Sequence, residues 1–133
     1  SAGGAWAQMT PVGRWQTIDD ATGQPKSEVV ITEVNGALVG KVDKLLRPDA
    51  DPSRRCTACS DDRKDQLILG MEIIRGAKPV AGQAVWEDGK ILDPENGKSY
   101  SLRLTPKNNG QQLDVRGSIL FIGRTQTWNR VAP

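Results

Sequence analysis

The chain reads Arg116-Gly-Ser-Ile-Leu-Phe-Ile-Gly-Arg-Thr-Gln-Thr-Trp-Asn-Arg-Val131 near its C-terminal end. This stretch contains the longest apolar run of the sequence, its only Phe, one of its four Trp and three of its Arg. Apolar and polar residues alternate as the chain enters it, which is typical of a strand with one buried face. We therefore expect it to be the closing strand of a β-barrel, paired with an opening strand at Gly13-Arg-Trp15.

Strand-like segments and turn clusters alternate through the rest of the sequence. Asn35-Gly36 lies between two apolar runs and is a strong hairpin signal, because both turn positions need positive φ. Asp93-Pro-Glu-Asn-Gly97 predicts a second hairpin connection. With the closing stretch, the pattern predicts about eight short strands, the others being at residues 13–18, 27–34, 38–46, 67–75, 81–86, 90–93 and 98–105. Turns are predicted at residues 76–79, 87–89 and 106–110, and a bend at Gly70.

The predicted fold class is all-β, because no amphipathic segment is long enough for a helix of three turns. Consecutive strands joined by short turns make an up-and-down antiparallel sheet, which would leave two unpaired edges if it stayed open. Closure of the first strand on the last removes both edges. An eight-stranded barrel of this kind is filled by side chains or holds one small ligand. A β-sandwich is the alternative, which the regular hairpin spacing disfavours.

Composition excludes several classes of function. The 133 residues fit one domain, and the net charge of +2 comes from basic and acidic residues that alternate in sign, so we expect no nucleic-acid partner. The sequence has no His, which removes imidazole bases, His-dependent nucleophiles and His-containing zinc sites. No apolar run approaches the roughly 18 residues of a membrane span.

The N-terminal residues resemble the end of a secretory signal. Ala5-Trp6-Ala7 fits the small-x-small pattern of signal cleavage. We interpret residues 1–10 as a signal-peptide remnant or an unordered N-terminus, with a cloning scar as the alternative, and residues 11–133 as one β-barrel domain. The expected location is periplasmic or secreted.

Residues 47–66 are predicted to form a long loop, either a functional lid or a tolerated insertion. Cys56-Thr-Ala-Cys59 within it has three interpretations. A redox site needs a helix N-terminus after a strand, and a zinc site needs four ligands, so both are disfavoured. A structural disulfide fits an oxidising compartment and is the favoured interpretation, although free thiols remain a further alternative.

Acidic residues offer little evidence of a metal site or of catalysis. The five Asp of the loop lack the order of a calcium-binding motif and are mixed with basic residues. Four further acids lie at two predicted turns, where carboxylates usually serve the turn itself: Glu87, Asp88, Asp93 and Glu95. We expect no metal, no cofactor, no catalytic residue and no enzyme activity.

A series of short motifs closely resembles the DUF2147 family. The motifs are Gly13-x-Trp15, Thr22-Gly23, Asn35-Gly36-x-Leu38-x-Gly40-Lys41, Cys56-x-x-Cys59, Gly70-Met71, Gly89-Lys90-Ile91-x-Asp93-Pro94-x-Asn96-Gly97-Lys98-x-Tyr100, Arg116-Gly117 and Gly123-Arg124-Thr125-Gln126-x-Trp128-x-Arg130. They cover residues 13 to 131 in order. The resemblance implies a small exported bacterial protein with a lipocalin-like, calycin-type barrel, and it implies nothing firm about activity.

A looser similarity to lipocalins concerns barrel closure. In lipocalins a Gly-x-Trp on the first strand packs beneath an Arg of the last strand, which implies that Gly13 and Trp15 lie at one barrel end under Arg130 or Arg124. Arg130 is favoured because it is nearer the strand end. Alternation with period two places Arg124, Trp128 and Arg130 on one face. Such a cation–π contact stabilises the fold by about 0.5–2 kcal/mol.

The candidate ligand-binding residues are aromatic and basic. Trp86, Tyr100 and Phe121 either line a cavity or fill the core, and core packing is the more common role of such residues. Three basic residues, if they lie near the barrel mouth, favour an anionic group: Lys41, Arg103 and Arg116. We expect a protein that binds a small amphipathic or anionic molecule. The alternative is an envelope protein-interaction module that acts through its outer face and residues 47–66.

Overall fold

The structure is a computed structural model that describes residues 9–133. These residues form eight strands: β1 (Gly13–Ile18), β2 (Pro25–Val34), β3 (Ala37–Leu45), β4 (Glu72–Pro79), β5 (Trp86–Asp93), β6 (Lys98–Lys107), β7 (Gln112–Ile119) and β8 (Ile122–Arg130). Each strand pairs antiparallel with the next, and β1 also pairs with β8, where Trp15 lies opposite Arg130. The sheet is a closed barrel, so the predicted all-β, up-and-down, eight-stranded fold is confirmed. The predicted cleavage pattern at residues 5–7 lies outside the described residues.

Alternation along the strands builds the core, since every second side chain points inward. On β6 and β7, for example, Leu104 and Leu113 are fully buried, whereas Arg103 between two buried leucines is exposed. The predicted turn at Asn35-Gly36 is confirmed, because both residues have positive φ, 53° and 81°. The largest side chains with no exposed surface are Trp15, Val29, Ile31, Ile74, Leu104 and Leu113.

Four predictions about the chain in and around β4 and β5 are wrong. Residues 67–71 are not part of a strand: Gly70, with φ of 89°, lies in the turn before β4 rather than bending a strand. Residues 76–79 and 87–89 are not turns, since they lie within β4 and β5. Gly76 and Asp88 adopt positive φ within these strands, and Gly89 packs against Ala77 so closely that a side chain would not fit. Residues that usually mark turns serve here as irregularities that bend the barrel wall. Residues 81–85 accordingly form the connection that was predicted to be a strand.

The closing stretch is a hairpin of two strands rather than one strand. The strands β7 and β8 pair from Gln112 opposite Asn129 to Ile119 opposite Ile122, so Leu120 and Phe121 form a two-residue turn. Leu120 has a φ of 55°. The apolar run that predicted a buried strand is therefore the exposed tip of a hairpin.

Residues 46–71 form a long connection between β3 and β4 that packs against the barrel. The predicted disulfide between Cys56 and Cys59 is confirmed, and both cysteines are buried. Cys56 Sγ lies 3.3 Å from the carbonyl oxygen of Pro94, in the β5–β6 turn. Arg63 is also buried and donates a hydrogen bond of 2.8 Å to the carbonyl oxygen of Glu72 at the start of β4. The connection is thereby fixed to the barrel at both the disulfide and Arg63.

Candidate functional site

One end of the barrel is closed by Trp15 and Arg130. The guanidinium carbon of Arg130 lies 4.3 Å from the centre of the Trp15 ring, which is the cation–π contact that the sequence predicted. The Trp15 indole N–H donates a hydrogen bond of 2.8 Å to the carbonyl oxygen of Pro11. Arg130 donates hydrogen bonds to three carbonyl oxygens, those of Thr10, Val12 and Gly110. Burial of Arg130 lowers its pKa, and the carbonyl groups replace part of the water that it loses.

Gly13 is required beside this contact. Its φ is 137°, which residues with a side chain rarely adopt, and a Cβ there would collide with Arg130 Nη1. The Gly-x-Trp pattern thus has a steric cause: Gly13 leaves room for the guanidinium that covers Trp15. Trp128 is also buried, on the inner face of β8.

The opposite end of the barrel opens into a cavity of about 420 Å³ enclosed by the described residues. Its position follows from the topology, because the β1–β2, β3–β4, β5–β6 and β7–β8 connections all lie at that end. Residues 47–54 of the long connection form part of its mouth. The apolar side chains of its wall are Val42, Leu45, Ile68, Ile73, Ile91, Leu92, Val115 and Trp128.

Polar side chains inside the cavity are largely bonded to one another. Thr17 and Ser27 share a hydrogen bond of 2.6 Å between their hydroxyl groups. The Gln126 amide donates to the Ile18 carbonyl oxygen at 2.8 Å and accepts from the Trp128 indole N–H at 2.6 Å. These groups already have partners, so the wall presents few unsatisfied polar groups to a ligand.

Charged residues surround the mouth in ion pairs. Arg47 contacts Asp19 at 2.5 Å and Glu95 at 2.9 Å, so it links the β1–β2 and β5–β6 turns. The pKa of Asp19 lies below its usual range, mainly because its carboxylate accepts a hydrogen bond from the Ala21 backbone N–H. The Thr22 backbone N–H and the Arg47 guanidinium lower it further. The other paired cations of the rim are Lys26 and Arg54, both near Glu95, and Arg124, which pairs with Asp20. Positive and negative charges therefore balance locally around the mouth.

The six predicted ligand-binding residues, all in the described part of the chain, do not come together at one site. Tyr100 lines the cavity, and Trp86 is half-buried and packs against the core. The other four do not line the cavity, contrary to the prediction that they contribute to a ligand site there. Phe121 is fully exposed at the β7–β8 turn, and three basic residues lie exposed on the outer face: Lys41, Arg103 and Arg116.

The basic residues lie outside for a simple reason. Each sits between inward-facing neighbours, as Arg116 does between Val115 and Gly117, which both line the cavity. Arg103 is consequently free to pair at 2.9 Å with Glu87 on the outer surface. Strict use of the two-residue period would have identified the wall residues that the sequence analysis missed, such as Val115 and Gln126.

The described residues offer no cluster of three or more His, Cys, Asp or Glu side chains that could hold a metal ion. Within residues 9–133 no helix is long and apolar enough to cross a membrane. The acids that were considered for catalysis are engaged in structure: Asp93 accepts a hydrogen bond from the Glu95 backbone N–H, and Glu95 pairs with Arg47.

Comparisons with known proteins bear on the family and on the fold. Residues 13–130 match the model of a family described as "Uncharacterized protein conserved in bacteria (DUF2147)". A solved structure, described as protein HP1028 from the human pathogen Helicobacter pylori and as belonging to the lipocalin family, superposes with a TM-score of 0.77. The two sequences are 21% identical, and the alignment covers 91% of this chain and 82% of the other. A comparison with curated proteins finds no match.

Proposed function

The chain belongs to the DUF2147 family, and we propose that it is a non-enzymatic periplasmic or secreted protein that binds one small molecule in its barrel. The observation that carries this proposal is the open cavity of about 420 Å³, a volume within the roughly 300–1,000 Å³ of typical ligand pockets. The closed end is filled by Trp15, Leu113 and their neighbours, whereas the cavity lies at the other end of the barrel. A barrel that served only as a rigid scaffold would have no need of such a space, since empty apolar volume destabilises a core.

The ligand that fits this cavity is small and mostly apolar, with a polar group at one end. Aliphatic side chains such as Ile73, Leu92 and Val115 offer apolar contact in the interior. The hydroxyl of Tyr100 lies nearer the mouth, 3.4 Å from the Asn96 amide, and is available to a polar group. The ligand is therefore amphipathic.

A net negative charge on the ligand gives no clear advantage. Three of the four cations of the rim share Glu95 and the fourth pairs with Asp20, so an anion would compete with these carboxylates. This narrows the expected ligand from amphipathic or anionic to amphipathic. The binding free energy would come mainly from burial of apolar surface, about 25 cal/mol per Å² before the cost of association is subtracted.

The buried disulfide supports the proposed location. Disulfides persist in oxidising compartments such as the bacterial periplasm and the extracellular space, and reducing compartments disfavour them. Cleavage of an exported precursor would be detected by N-terminal sequencing of the mature protein from its natural host.

Titration with N-phenyl-1-naphthylamine, a neutral apolar dye that fluoresces in apolar surroundings, tests ligand binding. Val115 lines the cavity, so Val115→Phe should fill part of it and weaken dye binding at least tenfold. Thr125→Phe adds an equal ring to the exposed outer face of β8 and should bind as the natural chain does. Native mass spectrometry of the gently purified protein would identify a retained natural ligand. Absence of dye binding, or equal binding by both variants, would refute a binding role for the cavity.

The alternative function is a protein-interaction module that acts through residues 47–66. One observation favours it: the connection is held rigidly by its buried disulfide, yet residues 51–55 and most of 57–62 are exposed. Deleting the connection would expose the core, so substitutions on its outer surface are a better test. Thr57→Arg with Ser60→Arg should abolish capture of a partner from envelope extract if this alternative holds, whereas Val115→Phe should leave capture unchanged.

A further inference from the structure

The turn between β7 and β8 carries four consecutive apolar residues on the surface. The exposed fractions are 49% for Ile119, 90% for Leu120, 100% for Phe121 and 83% for Ile122. We call these four residues the apolar tip. Isolated exposed apolar residues are ordinary, but a contiguous group with this exposure marks a contact site for another molecule.

The backbone of the apolar tip makes this composition unfavourable for folding. Leu120 adopts a φ of 55° at the first central position of a two-residue hairpin turn, where Gly is the favoured residue. A branched side chain in this region is strained, and an exposed one gains no burial in return. Neither turn geometry nor core packing therefore explains the presence of Leu120 and Phe121, whereas contact with an apolar medium outside the protein does.

The apolar tip lies at the rim of the cavity mouth. On the same two strands, Gly117 lies opposite Arg124, and both line the cavity. These positions are only two residues from Ile119 and Ile122, or about 7 Å along a strand. A surface that receives the apolar tip therefore comes close to the opening of the barrel.

A cationic group lies directly behind the apolar tip. The Arg116 guanidinium packs against the backbone of Gly123, the residue after Ile122, and donates a hydrogen bond of 3.4 Å to the Thr125 hydroxyl. Among the described residues Arg116 belongs to no ion pair. Its guanidinium is exposed and lies at the level of Gly123, two residues or roughly 7 Å along the strand from Phe121.

We propose that the apolar tip inserts into the surface of a phospholipid bilayer that contains anionic lipids, with Arg116 at the level of the phosphates. The spacing matches such an interface, because apolar groups enter roughly 5–10 Å beyond the boundary and basic side chains contact the headgroups. The shape of the site also favours a fluid partner. A stable protein interface buries about 800 Å² on each side around an apolar core, whereas a projecting turn of four residues offers a point of insertion. This inference is independent of whether the cavity binds a ligand.

Co-sedimentation with vesicles tests the proposal. The full chain should bind vesicles of phosphatidylcholine and phosphatidylglycerol (7:3), and Leu120→Gly with Phe121→Ser should weaken binding at least tenfold. Gly suits the φ of position 120, so this variant should fold at least as well as the natural chain. Val34→Ser is the matched control, because Val34 is 51% exposed beside the hairpin turn at the closed end and should bind vesicles normally.

Three variants test separate parts of the proposal. Arg116→Gln should lower binding to the anionic vesicles severalfold and leave the weaker binding to pure phosphatidylcholine unchanged. In the Phe121→Trp variant, the fluorescence emission of the introduced indole should shift to shorter wavelength when vesicles are added, because the indole enters an apolar environment. Val115→Phe should bind vesicles as the natural chain does, so loss of ligand binding and loss of membrane binding are distinguishable.

Several outcomes would overturn the proposal. One is failure of the natural chain to bind either vesicle, and another is equal binding by the natural chain and by the Leu120→Gly, Phe121→Ser variant. Sedimentation equilibrium that reveals a dimer dependent on Phe121, without vesicle binding, would assign the apolar tip to a second copy instead. Capture of a protein partner through Phe121, again without vesicle binding, would also refute insertion into lipid.

Discussion

Replacing Trp15 by Ala should destabilise the barrel by about 3–5 kcal/mol, the range measured for truncation of large buried aromatic side chains. Trp15 has no exposed surface, so nearly all of its contact with the core is lost. The substitution also removes the indole hydrogen bond to Pro11, with a net value of about 0.5–1.5 kcal/mol, and the contact with Arg130, about 0.5–2 kcal/mol. These terms overlap with the truncation cost, so we place the expected value in the upper half of the range.

Urea unfolding under oxidising conditions measures this loss, followed by far-ultraviolet circular dichroism so that the removed indole does not affect the signal. Trp15→Phe is the informative partner variant. It keeps most of the apolar volume but leaves the Pro11 carbonyl oxygen without its indole donor, so it should cost about 1–2 kcal/mol. A loss below about 1 kcal/mol for Trp15→Ala would show that Trp15 does not hold the closed end together.

A double-mutant cycle isolates the contact between the ring and the guanidinium. Arg130→Met keeps an apolar stem but removes the charge and the donors to the carbonyl oxygens of Thr10, Val12 and Gly110. The coupling energy between Trp15→Phe and Arg130→Met should be small, because Phe retains a ring face. The coupling between Trp15→Ala and Arg130→Met should reach about 0.5–2 kcal/mol. Equal coupling in both cycles would contradict the cation–π interpretation.

Three further predictions concern the long connection and its attachment. Gly97→Ala should lower the free energy of unfolding by more than the roughly 1–3 kcal/mol of backbone strain alone, because a Cβ there would also collide with the Ala58 carbonyl oxygen. Gly82 has a similar φ and open space around it, so Gly82→Ala should lower the free energy of unfolding by the strain alone. Urea unfolding of both variants measures the difference. Asp61 accepts hydrogen bonds from the Arg63 side chain and, with a smaller effect, from the Arg63 backbone N–H, and these lower the pKa of Asp61 to about 2. The contact therefore stabilises the fold above pH 4, and this stabilisation is lost as the pH falls through 2. Asp61→Asn should therefore destabilise the protein at pH 7 by less than about 1 kcal/mol, since the carboxylate is 44% exposed, and the difference should shrink between pH 4 and pH 2. Reduction of the disulfide should cost about 2 kcal/mol by the loop-entropy estimate for its short ring, and equal stability with and without dithiothreitol would contradict that value.

The barrel was predictable because its evidence is local and repeated. Turn residues such as Asn35-Gly36 report backbone geometry within a few residues, and alternating burial reports the face of each strand. The errors in β4 and β5 have the same origin. Gly76 and Asp88 adopt the positive φ that marks a turn elsewhere, but here neighbouring strands continue to pair on both sides. Local sequence does not distinguish an irregular strand from a turn, since the difference depends on pairing with a distant segment.

The cavity was less predictable than the barrel because its wall is assembled from distant segments. Its mouth combines residues of the long connection with turns that are far apart in the sequence, such as those at Asp20 and Glu95. The sequence analysis selected basic residues by their charge, whereas position within the two-residue period decides whether a side chain enters the barrel. Tyr100, selected as an aromatic residue, lines the cavity, whereas Arg116, selected for its charge, lies on the outer face.

The apolar run at Ile119–Ile122 illustrates what continuous hydrophobicity means in a small barrel. A strand of this fold buries only every second residue, so the buried residues alternate with exposed ones in the sequence, as do Leu102, Leu104 and Pro106 on β6. Four adjacent apolar residues exceed what one wall of the barrel can bury. At least half of them must face outward in a strand, and in this chain they occupy a turn at the rim of the cavity. The run is therefore better evidence of contact with something outside the protein than of a buried strand, and a lipid surface beside the open end of the barrel is the partner that its shape and the charge of Arg116 favour.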